Sequence, residues 1–180
     1  MKIIKTFISD LLIIEPDVFQ DDRGYFFESY NEEVFNKNGI KYKFVQDNES
    51  KSQKNVIRGL HFQIPPHEQA KLIRVIKGKV MDVVVDIRKK SHTYGKYFSI
   101  ELSEENKTML LVPSGFAHGF ATLKDKTVFS YKCSNFYNKD SERCILWNDP
   151  DLNIKWNINN PVLSEKDKKG LKFKDYISLF

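Results

Sequence analysis

The sequence predicts a mainly β protein, a sandwich or barrel of short antiparallel strands with a few short peripheral helices. Strict alternation of apolar and polar residues recurs after Lys77-Gly78, again around Phe98-Ile100-Leu102, and again at Val128-Cys133. Turn residues separate these runs, and helical periodicity is scarce through the middle of the chain. At 180 residues the chain supplies one core and is short for two, so residues 1–180 are expected to form a single domain.

Leu11 to Pro16 is short, apolar and stopped by proline, as a strand would be. Asp21-Asp22-Arg23-Gly24 makes a turn, and the aromatic run Tyr25 to Tyr30 resumes extended structure. Asn31 is placed to cap a short helix whose first turn carries Glu32 and Glu33, with Gly39 ending it. Tyr42 to Gln46 is expected as a strand, and the polar Asp47 to Ser52 as a loop. Two β-rich runs follow, one centred on Arg58-Gly59-Leu60-His61 and one on Lys71 to Val75, joined through Pro65 and Pro66. In the next run Met81, Val83, Val85 and Ile87 point one way, and Asp82, Val84, Asp86 and Arg88 the other, which predicts a half-buried strand. Ser164, with Asp167 three residues on, marks the start of a late helix.

Composition narrows the function classes. Hydrophobic residues make up 41% and aromatics 13%, an ordinary globular balance. The formal charge is +5, but the lysines are dispersed among acids and form no basic track, so nucleic-acid binding is not expected, whereas an anionic small molecule suits the balance. No stretch has the apolar length of a signal peptide or a membrane helix, which predicts a cytoplasmic protein that meets no membrane. Cys133 and Cys144 lack metal-type spacing and read as small buried groups in a reducing compartment.

His61 and Lys71 are the residues best suited to chemistry. Imidazole accepts a proton near neutrality, and a lysine on an otherwise apolar strand is costly unless an anion meets it. Together they suggest a base beside an oxyanion stabiliser. A regular strand sends Arg58 and His61 to opposite faces, and a bulge at Gly59 would bring both into one pocket. Pro113-Ser114-Gly115-Phe116-Ala117-His118 has the P-x-G-x-x-H spacing of the second motif of cupins, a superfamily of small β-barrels that commonly hold a metal through histidines and a glutamate. The residue two after His61 is Gln63, a poor ligand for a transition metal, so no metal and no cofactor are expected.

Taken jointly, Asp22 to Glu28, Phe44 to Ser50, Val56 to Gln63, Lys71 to Val75, Val85 to Arg88, Pro113 to Phe120, Tyr131 to Cys133, Trp147 to Asp149 and Leu163 to Asp167 resemble one family, the dTDP-4-dehydrorhamnose 3,5-epimerases. The resemblance spans nearly the whole chain and implies a metal-free, cupin-type antiparallel β-barrel, or jelly roll. It also implies a homodimer with exchanged strands and a dTDP-linked 4-keto-6-deoxy sugar as substrate. Matched position by position, His61 is the general base, Asp167 the acid that orients it, Tyr131 the proton donor and Lys71 the lysine near the C4 oxygen. Arg23, Glu28, Gln46, Asn48, Arg58, His118, Glu142 and Lys166 match nucleotide-sugar contacts. Trp156-Asn157 departs from the family's Trp-Pro. Mono-epimerases, ketoisomerases and metal-dependent cupin oxygenases are the rival activities for such a barrel.

Overall fold

The computed structural model describes residues 1–180. In chain order the elements are β1 (Lys2–Lys5), β2 (Leu12–Glu15), β3 (Phe19–Asp21), β4 (Gly24–Phe26), α1 (Glu32–Lys37), β5 (Gln46–Ser52), β6 (Ile57–Gln63) and β7 (Lys71–Lys77). There follow β8 (Lys79–Asp86), β9 (Tyr97–Ser103), β10 (Met109–Val112), β11 (Phe116–Thr122), β12 (Thr127–Cys133), β13 (Glu142–Cys144) and α2 (Glu165–Lys168). A six-stranded sheet runs β1-β2-β10-β7-β12-β5 and a five-stranded sheet runs β13-β6-β11-β8-β9. The ladders between these strands are antiparallel, as the jelly-roll expectation requires.

The two sheets face each other across a core that includes Ile73, Val84, Leu102, Leu110, Phe120 and Phe129, drawn from both. Each sheet is also covered on its outer face. Ile154, Trp156 and Tyr176, from the last part of the chain, pack on Leu60, Phe62, Val83 and Val85 of the five-stranded sheet. Phe35 of α1, Ile40 and the flanking Tyr42 and Phe44 pack on Leu72, Met109 and Leu111 of the six-stranded one. The alternation predicted for β8 is therefore correct in phase, but the strand is buried on both faces rather than half-buried, because the face expected to be open, that of Asp82 and Val84, is turned to the six-stranded sheet while the C-terminal segment covers the other.

Two other expectations change. Tyr42 to Val45 is not a strand; its apolar side chains serve as a coil cover, and the polar Asp47 to Ser52 is the strand, paired residue for residue with β12. β5 is an edge strand of the six-stranded sheet, where a polar sequence is tolerated because little of it enters the core. The aromatic run after Gly24 stays extended only through Phe26, in a separate hairpin with β3. Both helix starts hold: Asn31 accepts from the Val34 amide and Ser164 from the Asp167 amide, although α2 is a single turn.

The bulge at Gly59 is present. His118 pairs with His61 and Phe120 with Arg58, so β6 spends one more residue than β11 over the same span. Gly59 has φ of +137°, a conformation open to glycine, and a Cβ there would stand 2.5 Å from the Gly119 Cα. A Cβ on Gly119 would stand 2.7 Å from the Arg58 carbonyl oxygen, so neither strand can carry a side chain at the crossing. Gly59→Ala combines a backbone clash with an unfavourable φ and should lower unfolding free energy by roughly 2–4 kcal/mol. Urea denaturation checks this, and an unchanged midpoint would mean that the two strands part without cost.

Candidate active site

Between the sheets, beyond the apolar core, lies a cavity of about 270 Å³. Strands of both sheets place polar side chains in it. Arg58, His61 and Gln63 come from β6, His118 from β11 and Glu142 from β13; Lys71 comes from β7, Tyr131 from β12, and Gln46 and Asn48 from β5. Phe120 and Phe129, stacked with centroids 4.0 Å apart, join the cavity to the core. The bulge explains why Arg58 and His61 share the lining despite their odd spacing: Ile57, Leu60 and Phe62 all turn to the outer core cluster, and the parity of the strand changes between Arg58 and Leu60.

His61 Nε2 lies 2.5 Å from Asp167 Oδ1. Asp167 is buried in α2, where Ser164 Oγ donates to Oδ2 at 2.7 Å and the Gly59 amide to Oδ1 at 3.4 Å. Burial opposes ionisation of this carboxyl, yet the bonds from His61, Ser164 and Gly59 outweigh it and hold its pKa below the usual range. An ionised carboxylate only accepts, so in the neutral ring Nε2 carries the proton and the lone pair falls on Nδ1. The serine that caps the helix thus also fixes the acid that fixes the histidine.

Lys71 is half-buried and lines the cavity, with its ammonium 5.8 Å from the Tyr131 ring centroid. Burial pulls its pKa down, and Cys133, Asp82 and Glu142 pull it back. A nearby anion in the cavity would relieve that cost. Burial also raises the Tyr131 pKa, which keeps the phenol protonated at neutral pH and able to donate. Glu142 is bonded by Lys166 and by the Tyr137 hydroxyl at 3.0 Å, and these contacts outweigh its burial and keep it ionised.

Two participants were missed from sequence. Asp82, assigned to the open face of β8, is fully buried, and His118 Nε2 lies 3.0 and 2.9 Å from its two oxygens. Burial pushes His118 below its ordinary range and Asp82 above its own, and the attraction between the two opposes both shifts. An acid inside a valine run was the available signal. Tyr137 was missed too, on a loop whose aromatic pair Phe136-Tyr137 is exposed.

Four expected residues stand apart from the lining. Asp167 acts behind His61, and Lys166 is at the rim against Glu142. Arg23 and Glu28 are not brought to the cavity. Arg23 turns back on Asp21 in the β3–β4 hairpin with its side chain 90% exposed, and Glu28 accepts from Asn31. The hairpin leaves the barrel, which separates both residues from this chain's own cavity. Gln63, at the metal-ligand position of other cupins, commits its amide to the loops at the mouth. It donates to the carbonyls of His67 at 2.5 Å and Phe136 at 3.2 Å, and accepts from the Asn138 amide. His67 itself bonds Ser141.

Because its pKa is depressed on folding, Asp167 adds stability above its unfolded pKa of about 4, and that contribution is lost as pH falls through the lower folded value. Wild type should exceed Asp167→Asn by about 1–3 kcal/mol at pH 7. The gap should narrow as pH falls below about 4. Denaturant titrations at pH 7 and pH 3 check this; a gap as wide at pH 3 as at pH 7 would show that the ionised carboxylate is not what stabilises.

The chain is similar throughout to proteins of one kind. The family model described as dTDP-4-dehydrorhamnose 3,5-epimerase matches residues 5–175. A dTDP-4-dehydrorhamnose 3,5-epimerase of Shigella flexneri is 55% identical over 176 residues, 97% of each chain. The crystal structure of dTDP-4-dehydrorhamnose 3,5-epimerase from Elizabethkingia anophelis superposes with a TM-score of 0.92 at 53% identity, covering 97% of both chains. The dTDP-6-deoxy-D-glucose-3,5-epimerase of Legionella pneumophila, solved in complex with dTDP-4-keto-L-rhamnose, gives a TM-score of 0.92 at 44% identity over 96% of this chain and 93% of that one. With a jelly-roll barrel, a histidine–aspartate pair and a lysine and a tyrosine in one cavity, the chain belongs to the dTDP-4-dehydrorhamnose 3,5-epimerase family.

Proposed function

We propose that this protein epimerises dTDP-4-dehydro-6-deoxy-D-glucose at C3 and C5, giving dTDP-4-dehydro-L-rhamnose. The observation that carries the reading is the placement of His61 on the five-stranded sheet and Tyr131 on the six-stranded sheet, both lining one cavity with Lys71. A C4 ketone acidifies the hydrogens on its neighbouring carbons. His61 Nδ1 takes one of them, and the electron pair moves to the C4 oxygen, where the Lys71 ammonium stabilises the enolate. Tyr131 then gives its phenolic proton to the same carbon from the opposite side, which inverts the centre. His61 releases its proton to solvent and Tyr131 recovers one, so the two groups return to their starting state. Asp167 stabilises the imidazolium, and Asp82 holds His118 in one tautomer beside the sugar. Arg58, Gln46 and Asn48 supply donors for the nucleotide.

The same reading makes the protein a homodimer. A two-stranded hairpin alone is marginal in water, yet β3–β4 leaves Phe19, Tyr25 and Phe26 exposed. A second copy would cover that patch and bring Arg23 and Glu28 to the neighbouring cavity. Cys133 and Cys144 are both free, in keeping with a reducing, cytoplasmic setting, and no helix is long and apolar enough to cross a membrane.

Incubation with the keto sugar in deuterated water tests the activity: label is expected at both C3 and C5. Label at one carbon would make it a mono-epimerase, and label at neither would refute the assignment. His61→Ala should reduce exchange by about 100-fold or more while dTDP binding persists; equal loss of both would make His61 structural. Arg23→Ala should raise KM about tenfold with little change in the melting curve, and sedimentation should give a dimer. An unaltered KM would leave Arg23 outside the site.

A further inference from the structure

We propose that His61, Cys144 and Asp167 form an inhibitory site for a thiophilic divalent cation, with zinc the best fit by chemistry. A ring nitrogen of His61, Cys144 Sγ and a carboxylate oxygen of Asp167 lie within 4.8 Å of one another, and Nε2 is the nitrogen that already faces Asp167. They come from three elements, β6, β13 and α2, and the β13–β6 ladder sets Cys144 directly opposite His61. Three protein donors of N, S and O type make a zinc-like set, to which a water would be the fourth ligand. A sulfur donor selects against magnesium and calcium, which prefer oxygen. Coordination at roughly 2.0–2.3 Å spaces tetrahedral ligand atoms about 3.3–3.7 Å apart, so Cys144 Sγ moves in while the His61–Asp167 hydrogen bond opens to admit the ion, shifts of about 1 Å within side-chain reach. The epimerisation chemistry uses no thiol, so Cys144 is otherwise without a role beside the base.

Charge and protons balance. The ion displaces the Cys144 thiol proton to solvent, and one thiolate and one carboxylate then cancel its two positive charges in a half-buried place. The ion also takes the Nε2 lone pair. The neutral ring has one proton, which must then reside on Nδ1, the nitrogen that removes the sugar's hydrogen. Zinc therefore silences the base without entering the cavity. The inhibition rests on His61 being the base, whereas the binding does not.

Cobalt is the spectroscopic probe and zinc the inhibitor. Wild-type protein should take up one cobalt per chain with a thiolate-to-cobalt charge-transfer band in the near ultraviolet, displaced by zinc. Zinc should stop deuterium exchange, and a chelator should restore it. In Cys144→Ala and Cys144→Ser the band should vanish, and the half-inhibiting zinc concentration should rise by about tenfold or more, each variant measured against its own metal-free rate. No charge-transfer band in wild type, or equal zinc sensitivity in all three proteins, would overturn the site. A band lost in both variants, with zinc leaving wild-type exchange untouched, would overturn the inhibition and count against His61 as the base.

Discussion

The approach of Gly59 to Gly119 is the contact on which the rest depends. Two backbones meet there with no room for a methyl group on either, and β6 takes in its extra residue at that point. Without the extra residue, strand parity would put either Arg58 or His61 on the outer face, beneath the C-terminal cover, with a polar group among Ile145, Leu152 and Trp156. With it, both line one cavity, and the Gly59 amide is left facing Asp167. A single departure from ladder geometry serves His61, the carboxylate bonded to it and Arg58.

The interior is divided between two tasks. One end is packed with aliphatic and aromatic side chains from both sheets, and the other holds Lys71, Asp82, His118 and, behind His61, Asp167. Buried charges of that kind add little net stability even when paired. Lys71 and His118 are both pushed toward their neutral forms by burial, so the polar end is a standing liability that the apolar end and the two outer covers offset. Such an arrangement persists where an anion is expected to arrive, because the same low dielectric that penalises the empty cation strengthens its attraction to an enolate.

Much of this was legible before any coordinates. The alternation in β8, β9 and β12 and the caps at Asn31 and Ser164 follow from local rules, and Gly59 marked where a bulge could form. The pairing of His61 with Asp167 came only through resemblance, since nothing local ties two residues so distant in sequence. The failures share a cause: local polarity was taken as a guide to burial. Asp47 to Ser52 is polar yet is a strand, because its partner β12 and its place at a sheet edge set its structure. Asp82 is polar yet fully buried, because the facing sheet, built from strands distant in sequence, turned an open face into an inner one. Tyr42 to Val45 is apolar yet irregular, since covering a sheet needs no ladder.

The dyad has a consequence in time. Asp167 follows His61 by 106 residues, and α2 is part of the segment that closes the outer face of the five-stranded sheet. During synthesis, at roughly 5–20 residues per second, His61 waits on the order of 5–20 s for its partner. The nascent barrel can therefore collapse around an imidazole whose tautomer is still unassigned. The histidine–aspartate pair is completed by α2 rather than with the barrel.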